Sequence, residues 1–270
     1  MSKITSQLTG VSRTLVFTLK TRAEEQERPE CLFQDPLAVE WHKQLPLDTD
    51  LEAIYTRLNR LVQTAWSTRA YHYDQVASRH IANHPHPVVV ELGTGLSTRF
   101  HRIGQNVKYW LDLDLPDVTN LRRQLDSETE QHQFISASVM DFDWMNLIPE
   151  VDSENLLFLA EGLLPYLKPN QVQQLVKQMR SRFPGAMWAM DVMGNYGKLF
   201  RKMSAKFEAP FQWFVKNEQD LTAMGLQVVN TWPLYQLYQE RWPWQWQLLL
   251  KFLTQFSYFR NGYLIVETKL

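Results

Sequence analysis

Carboxylates at the ends of apolar runs, glycines just after them and an arginine set among apolar positions are the residues here whose types and spacing suit chemistry. The main group is Pro87-Val-Val-Val-Glu91-Leu-Gly93-Thr-Gly95-Leu-Ser97-Thr98. Three valines make a short buried strand, Glu91 closes it, two glycines turn the chain, and Ser97 is placed to cap the helix that follows. A strand–turn–helix unit of this kind offers backbone N–H groups to a ligand at a helix N-terminus. Thr98 stands where a dinucleotide fold has its third glycine, which weighs against NAD or FAD. A carboxylate at Glu91, just before the turn, suits a cationic or hydroxyl-bearing ligand better than a pyrophosphate.

Two further carboxylates share this layout. The run Val107-Lys-Tyr-Trp-Leu-Asp112-Leu-Asp114 ends about 20 residues beyond the turn, where a doubly wound fold sets a carboxylate on ribose hydroxyls. Asp112 and Asp114 share a strand face, and Asp114 is nearer the ligand edge. Glu161 follows the fully apolar run Asn155–Ala160, and an acid there needs a partner if it is buried. Arg69, in Thr68-Arg69-Ala70-Tyr71, has two readings. It is either a salt-bridge partner for a sheet acid such as Glu161, or a bidentate holder of a ligand carboxylate.

The elements that must position these residues follow from periodicity. Ile4, Leu8, Val11, Leu15, Leu19 and Ala23 recur at helical spacing, and Asp35-Pro36 caps and opens a short helix to about Gln44. A long helix runs from Leu51 to the His84-Pro-His-Pro87 loop. From Val88 on, strands alternate with helices: Val88–Glu91, Val107–Asp114, about Gln133–Val139, Asn155–Ala160, Ala186–Asp191, Leu226–Asn230 and Gly262–Leu270. Alternation of this kind predicts an α/β fold, a seven-stranded and mostly parallel sheet covered on both faces. Residues 1–86 read as a helical cap segment and 87–270 as the ligand-binding domain, with a basic, aromatic-rich helical insertion at 196–222. The Trp242-Pro-Trp244-Gln-Trp246 run is either core for the last helix or an apolar contact surface, with core packing the preferred reading.

Composition sets the bounds. The 270 residues are 44% hydrophobic, with a formal net charge of −1, so bulk charge predicts neither nucleic-acid nor membrane partners. One cysteine rules out an internal disulfide. The expectation is a soluble, cytoplasmic chain without a signal peptide or a membrane span. His80, His84 and His86 flank prolines and read as a solvated connection, so no metal is expected.

Taken in order, Arg22-Ala-Glu, Leu32-Phe-Gln-Asp35-Pro36-Leu-Ala38, Arg69, Glu91-Leu-Gly93-Thr-Gly95-Leu-Ser-Thr-Arg99, Leu113-Asp114-Leu-Pro116 and Glu161-Gly-Leu-Leu-Pro-Tyr166 resemble one family. It is the leucine carboxyl methyltransferase family, in particular its bacterial branch of tetracenomycin-type polyketide O-methyltransferases. The resemblance implies a Rossmann-like class I fold that ends on an antiparallel strand and binds S-adenosylmethionine. It implies that the turn at Gly93 and Gly95 passes the methionine part of that cofactor, with Glu91 at its start. Asp114 would hold the ribose, Arg69 the carboxylate, and Glu161 would lie by the amino-acid end. Lys20 or Arg22 would be a second carboxylate contact. The family's Asp after the third strand is Ser138 here, so the adenine amine would donate to that hydroxyl or to the Val139 backbone.

The implied activity is direct methyl transfer to a hydroxyl or carboxyl oxygen of a small molecule, with Tyr166 and His101 as candidate bases. Two rivals are a protein C-terminal carboxyl methyltransferase and a partner-binding module with a degraded cofactor site, to which Ser138 and the tryptophan run also point.

Overall fold

Three valines in a row cannot alternate between core and solvent, so Val88–Val90 must be covered on both faces. In the computed structural model, which describes residues 15–47, 49–57, 60–194 and 210–270, β1 spans Val88–Leu92 and is buried along its whole length. It pairs in parallel with β2 (Tyr109–Asp114) on one side and β4 (Leu156–Ala160) on the other. β3 (His132–Ser136) adds outside β2, and β5 (Met187–Met193) outside β4, both parallel. The sheet order is β3-β2-β1-β4-β5-β7-β6, with β6 at Gln227–Pro233 and β7 at Tyr263–Lys269. β7 runs antiparallel to both of its neighbours, so it enters the sheet beside the carboxyl end of β5, with Tyr263 opposite Met193.

Successive residues of β1 feed opposite layers. Val88 and Val90 join a core with Phe158, Trp188 and the apolar face of α7 (Pro169–Arg182), while Val89 joins Trp110, Tyr73 and Val76. The last two belong to α4 (Arg60–Asn83), which is therefore a layer of the sheet. Helices α1 (Leu15–Glu25), α2 (Pro36–Gln44) and α3 (Thr49–Arg57) form a third cluster through Phe17, Leu19, Trp41 and Tyr55. It closes on Leu96 of the glycine turn and on Leu121 of α6 (Pro116–Arg122). Asp35 caps α2 by accepting from the Ala38 N–H at 3.0 Å.

Four expectations change. The helix after the turn, α5, is a single turn at Arg99–Ile103 whose N-cap position is Thr98, not Ser97. The Thr98 hydroxyl donates to Asp35 at 2.5 Å, and Ser97 Oγ accepts from the Arg99 N–H at 3.3 Å. The described part of the 196–222 segment begins extended: Gln212 and Trp213 N–H groups donate to Pro165 O, Val215 bridges to Gly194, and only Glu218–Ala223 (α8) is helical. Its earlier part, like Ile4, Leu8 and Val11, lies outside the described residues. The tryptophan run splits: Trp242 is 2% exposed, but Trp244, first residue of α9 (Trp244–Leu253), is 75% exposed because its helix has core on one side only. His80 is buried rather than solvated, with Nε2 3.0 Å from Asn155 O.

Two substitutions test this layering. Phe158→Ala should lower the unfolding free energy by about 3–5 kcal/mol in urea titration, whereas Trp244→Ala should change it by less than about 0.5 kcal/mol.

Candidate functional site

Parallel strands leave a crevice at their carboxyl ends, and the chain's acids converge there. Asp114 ends β2, Glu91 is the last residue but one of β1, Glu161 directly follows β4, and Asp191 lies two residues before the end of β5. All four line a cavity of about 400 Å³, within the size range of small-molecule sites. Gly93 lines the cavity and Gly95 does not; their φ angles are +67° and +59°, a region that side chains other than glycine rarely adopt. A Cβ at Gly95 would stand 2.6 Å from Leu15 Cδ2, so the glycine also lets α1 close on the turn.

Asp114 shapes this turn. Its Oδ2 accepts from the Gly95 N–H at 2.6 Å and its Oδ1 from the Leu115 N–H at 2.7 Å. Burial pushes its carboxyl up to about 6, although both N–H groups oppose the shift. Ser138 and Val139 line the same cavity. Ser138 Oγ accepts from the Met140 N–H at 3.2 Å, and Val139 O from Trp144 Nε1 at 3.1 Å.

The other acids are bound up with arginines. Arg99 is 1% exposed and donates from Nε to Asp74 Oδ1 at 2.7 Å, from Nη1 to Glu91, and from Nη2 to Glu161 Oε2 at 2.5 Å. Both Glu91 oxygens also lie within 3.3 Å of the Ser97 hydroxyl. Glu91 thus serves the protein's own cation. Burial lifts its carboxyl to about 7 against the pull of Arg99, helped by Asp112 and Glu161. Glu161 goes the other way: it is buried too, but Arg69 and Arg99 together hold it at about 2.

Arg69 takes the salt-bridge position that its sequence context allowed. Nε is 2.8 Å from Glu161 Oε1, and Nη1 donates to the Tyr263 hydroxyl at 2.7 Å. Tyr263 donates in turn to Asp191, which also accepts from the Gly162 N–H at 2.5 Å. Arg69 still lines the cavity, as does Arg22, whose Nη2 donates to Leu96 O at 2.5 Å and whose Nε stands 3.5 Å from Asp35. Burial, the largest influence on Arg22, lowers its guanidinium to about 10. Lys20 does not line the cavity; it pairs with Glu52 at 2.7 Å. Of the two basic residues proposed for α1, only Arg22 reaches the site.

The lining also carries five aromatic rings, Phe17, Trp66, Tyr166, Phe211 and Tyr263. Tyr166 packs against Phe211 at 5.1 Å between ring centroids. His101 is not part of the lining, and its Nε2 lies 2.9 Å from Asp126. Sequence reasoning passed over Arg99, Asp191 and Tyr263. Asp191 had the signal already used for Glu161, an acid closing an apolar strand. Tyr263 had none, because its place depends on β7 running antiparallel.

The strand order and the reversed β7 define a Rossmann-like class I methyltransferase fold, and a solved S-adenosylmethionine-dependent methyltransferase from Mesorhizobium loti shares it. That likeness has a TM-score of 0.51 at 15% identity and covers 73% of this chain and 97% of that one. The family model for leucine carboxyl methyltransferase matches residues 16–180. The chain is 30% identical over 236 residues to the tetracenomycin polyketide synthesis O-methyltransferase TcmP of Streptomyces glaucescens, covering 85% of each. It is 24% identical over 239 residues to the S-adenosyl-L-methionine-dependent methyltransferase dpfgK of Gibberella zeae, covering 79% of this chain and 78% of that protein. The chain belongs to the leucine carboxyl methyltransferase family and is a methyltransferase.

Arg99 is a cation that three acids share. Arg99→Met leaves Glu91, Asp74 and Glu161 without their shared cation and should destabilise the fold by about 3–5 kcal/mol in urea. Because Glu161 is held at about 2 against an ordinary 4.5, its contribution is complete above pH 4.5 and is lost as pH falls toward 2. Unfolding free energy measured across that window should fall in the wild type and fall less in Glu161→Gln.

Proposed function

We propose that the cavity binds S-adenosylmethionine and that the chain transfers its methyl group to an oxygen of a small, flat, apolar molecule. The observation that carries this is that one cavity is lined both by the polar groups Gly93, Asp114, Arg22 and Arg69 and by the aromatic rings of Phe17, Trp66, Tyr166 and Phe211. The residues fit the cofactor at each part. Asp114 lies beside the turn with a carboxylate able to accept from ribose hydroxyls, and Gly93 lines the cavity without a side chain. Ser138 and Val139 supply a hydroxyl and a backbone edge for the adenine amine. Arg22 and Arg69 supply two cations for the amino-acid carboxylate, while Glu161 answers its ammonium group.

When bound, the cofactor supplies a sulfonium-activated methyl group as the electrophile. The protein's part is alignment and dryness. Phe17 and Trp66, from the N-terminal helices, line the cavity together with Tyr166 and Phe211, and an aromatic lining suits an aromatic ring. A carboxylate or phenolate acceptor needs no base in this scheme. For a hydroxyl acceptor, Tyr166 is the residue of the two candidate bases that lies on the wall. The TcmP relative, an O-methyltransferase of polyketide synthesis, supports a small-molecule acceptor over a peptide tail.

Three outcomes test the proposal. Incubation with radiolabelled cofactor and an extract of the source cells should label a small aromatic product; label confined to protein would overturn the acceptor reading. Arg69→Ala should weaken cofactor binding in calorimetric titration by about tenfold or more, whereas wild-type affinity would refute the carboxylate assignment. The Asp114 carboxyl stands at about 6 in the free site, and ribose hydroxyls donate best to its ionised form. Affinity should therefore fall by up to about tenfold per pH unit below 6, and Asp114→Asn should flatten that dependence.

A further inference from the structure

The connection between β6 and β7 holds the densest set of exposed apolar side chains among the described residues. Trp244, Leu248 and Phe252 of α9 are 75%, 79% and 57% exposed. They recur at every fourth residue and so form one stripe along the helix. Leu249, Phe256 and Tyr258 widen it, the last lying on α10 (Ser257–Arg260). Beneath the stripe, Leu250 is buried and Trp242 Nε1 donates to Leu237 O at 2.8 Å, so the helix is anchored by its inner side. An exposed apolar surface of this size marks an interaction site.

Charge says which kind. Between Glu240 and Glu267 there is no acid, and Lys251 and Arg260 are exposed beside the apolar stripe. Arg241, the third basic residue of the segment, is committed to Glu25 at 2.5 Å. A two-fold contact between copies would press the same basic patch against itself, with no acid inside it to pair. An anionic bilayer meets both features: Trp, Leu and Phe enter the headgroup boundary while the cations meet lipid phosphates. No helix among the described residues is long and apolar enough to cross a membrane, so the contact would lie on the surface. The connection that carries the patch also begins and ends at the carboxyl end of the parallel strands. β6 leaves the sheet there and β7 re-enters at Tyr263, which lines the cavity with Met193.

We propose that the α9–α10 connection docks the enzyme on membranes rich in anionic phospholipid. The net charge of −1 gives no hint of this, because the cations that matter are local. The proposal stands whatever the methyl acceptor is. It is tested by co-sedimenting the full chain with vesicles of phosphatidylglycerol or of phosphatidylcholine. Binding to phosphatidylglycerol vesicles is expected, weakened about tenfold or more by Lys251→Glu with Arg260→Glu and abolished by Leu248→Glu with Phe252→Glu. Both pairs are exposed, so their urea midpoints should match wild type. Absence of binding to phosphatidylglycerol vesicles would overturn the proposal. So would a dimer in light scattering that Leu248→Glu with Phe252→Glu dissolves, since the patch would then belong to a second copy.

Discussion

The fold depends most on one requirement, that Arg99 remain paired with Asp74, Glu91 and Glu161 where α4, β1 and β4 meet. Charges this deeply buried lose most of their hydration, and only mutual pairing makes their burial tolerable. Each partner arrives on a different element, so the pairing fixes the relative position of all three. The same guanidinium follows the glycine turn directly, which ties the shape of the turn to the packing of the long N-terminal helix. Arg102 extends the network, bonding Asp74 at 2.9 Å and Asp35 at 2.7 Å.

Asp35 carries this ordering outward. One oxygen caps α2 while the other accepts from Thr98 and Arg102, so the N-terminal helices dock on the turn through a buried carboxylate. That docking sets Phe17 and Trp66 in the cavity lining. These parts of the cavity lining are thus placed by one connected set of charges. The arrangement gives specificity of position rather than net stability, because a buried ion network rarely outperforms apolar packing of the same volume.

Local signals made much of this legible in sequence. The runs Val88–Val90 and Leu156–Ala160 were readable as central strands because burial on both faces leaves no alternation. Asp35-Pro36 was readable because capping is a matter of neighbouring residues. Other features are non-local. Local reading leaves the direction of β7 open, and it comes only with the family resemblance, because it follows from pairing with β5 across about 70 residues of chain; the place of Tyr263 follows from the same pairing. Ser97 had the right chemistry for a cap, but Asp35, 63 residues away, draws Thr98 into the network and moves the cap by one position. Arg69 carried two readings because the answer turns on Glu161 and Tyr263, each on a different strand or loop. Trp244 was misread for a simpler reason: apolar type predicts burial only where a helix has core on that side.

These residues matter to function only if the cavity receives the cofactor in the orientation proposed. The most direct measurement is a structure of the chain with S-adenosylhomocysteine bound. The account predicts ribose hydroxyls within hydrogen-bond distance of Asp114, with the amino-acid carboxylate at Arg69 and Arg22 and the sulfur facing the Tyr166–Phe211 wall. A ribose held elsewhere, or a carboxylate meeting neither arginine, would contradict it.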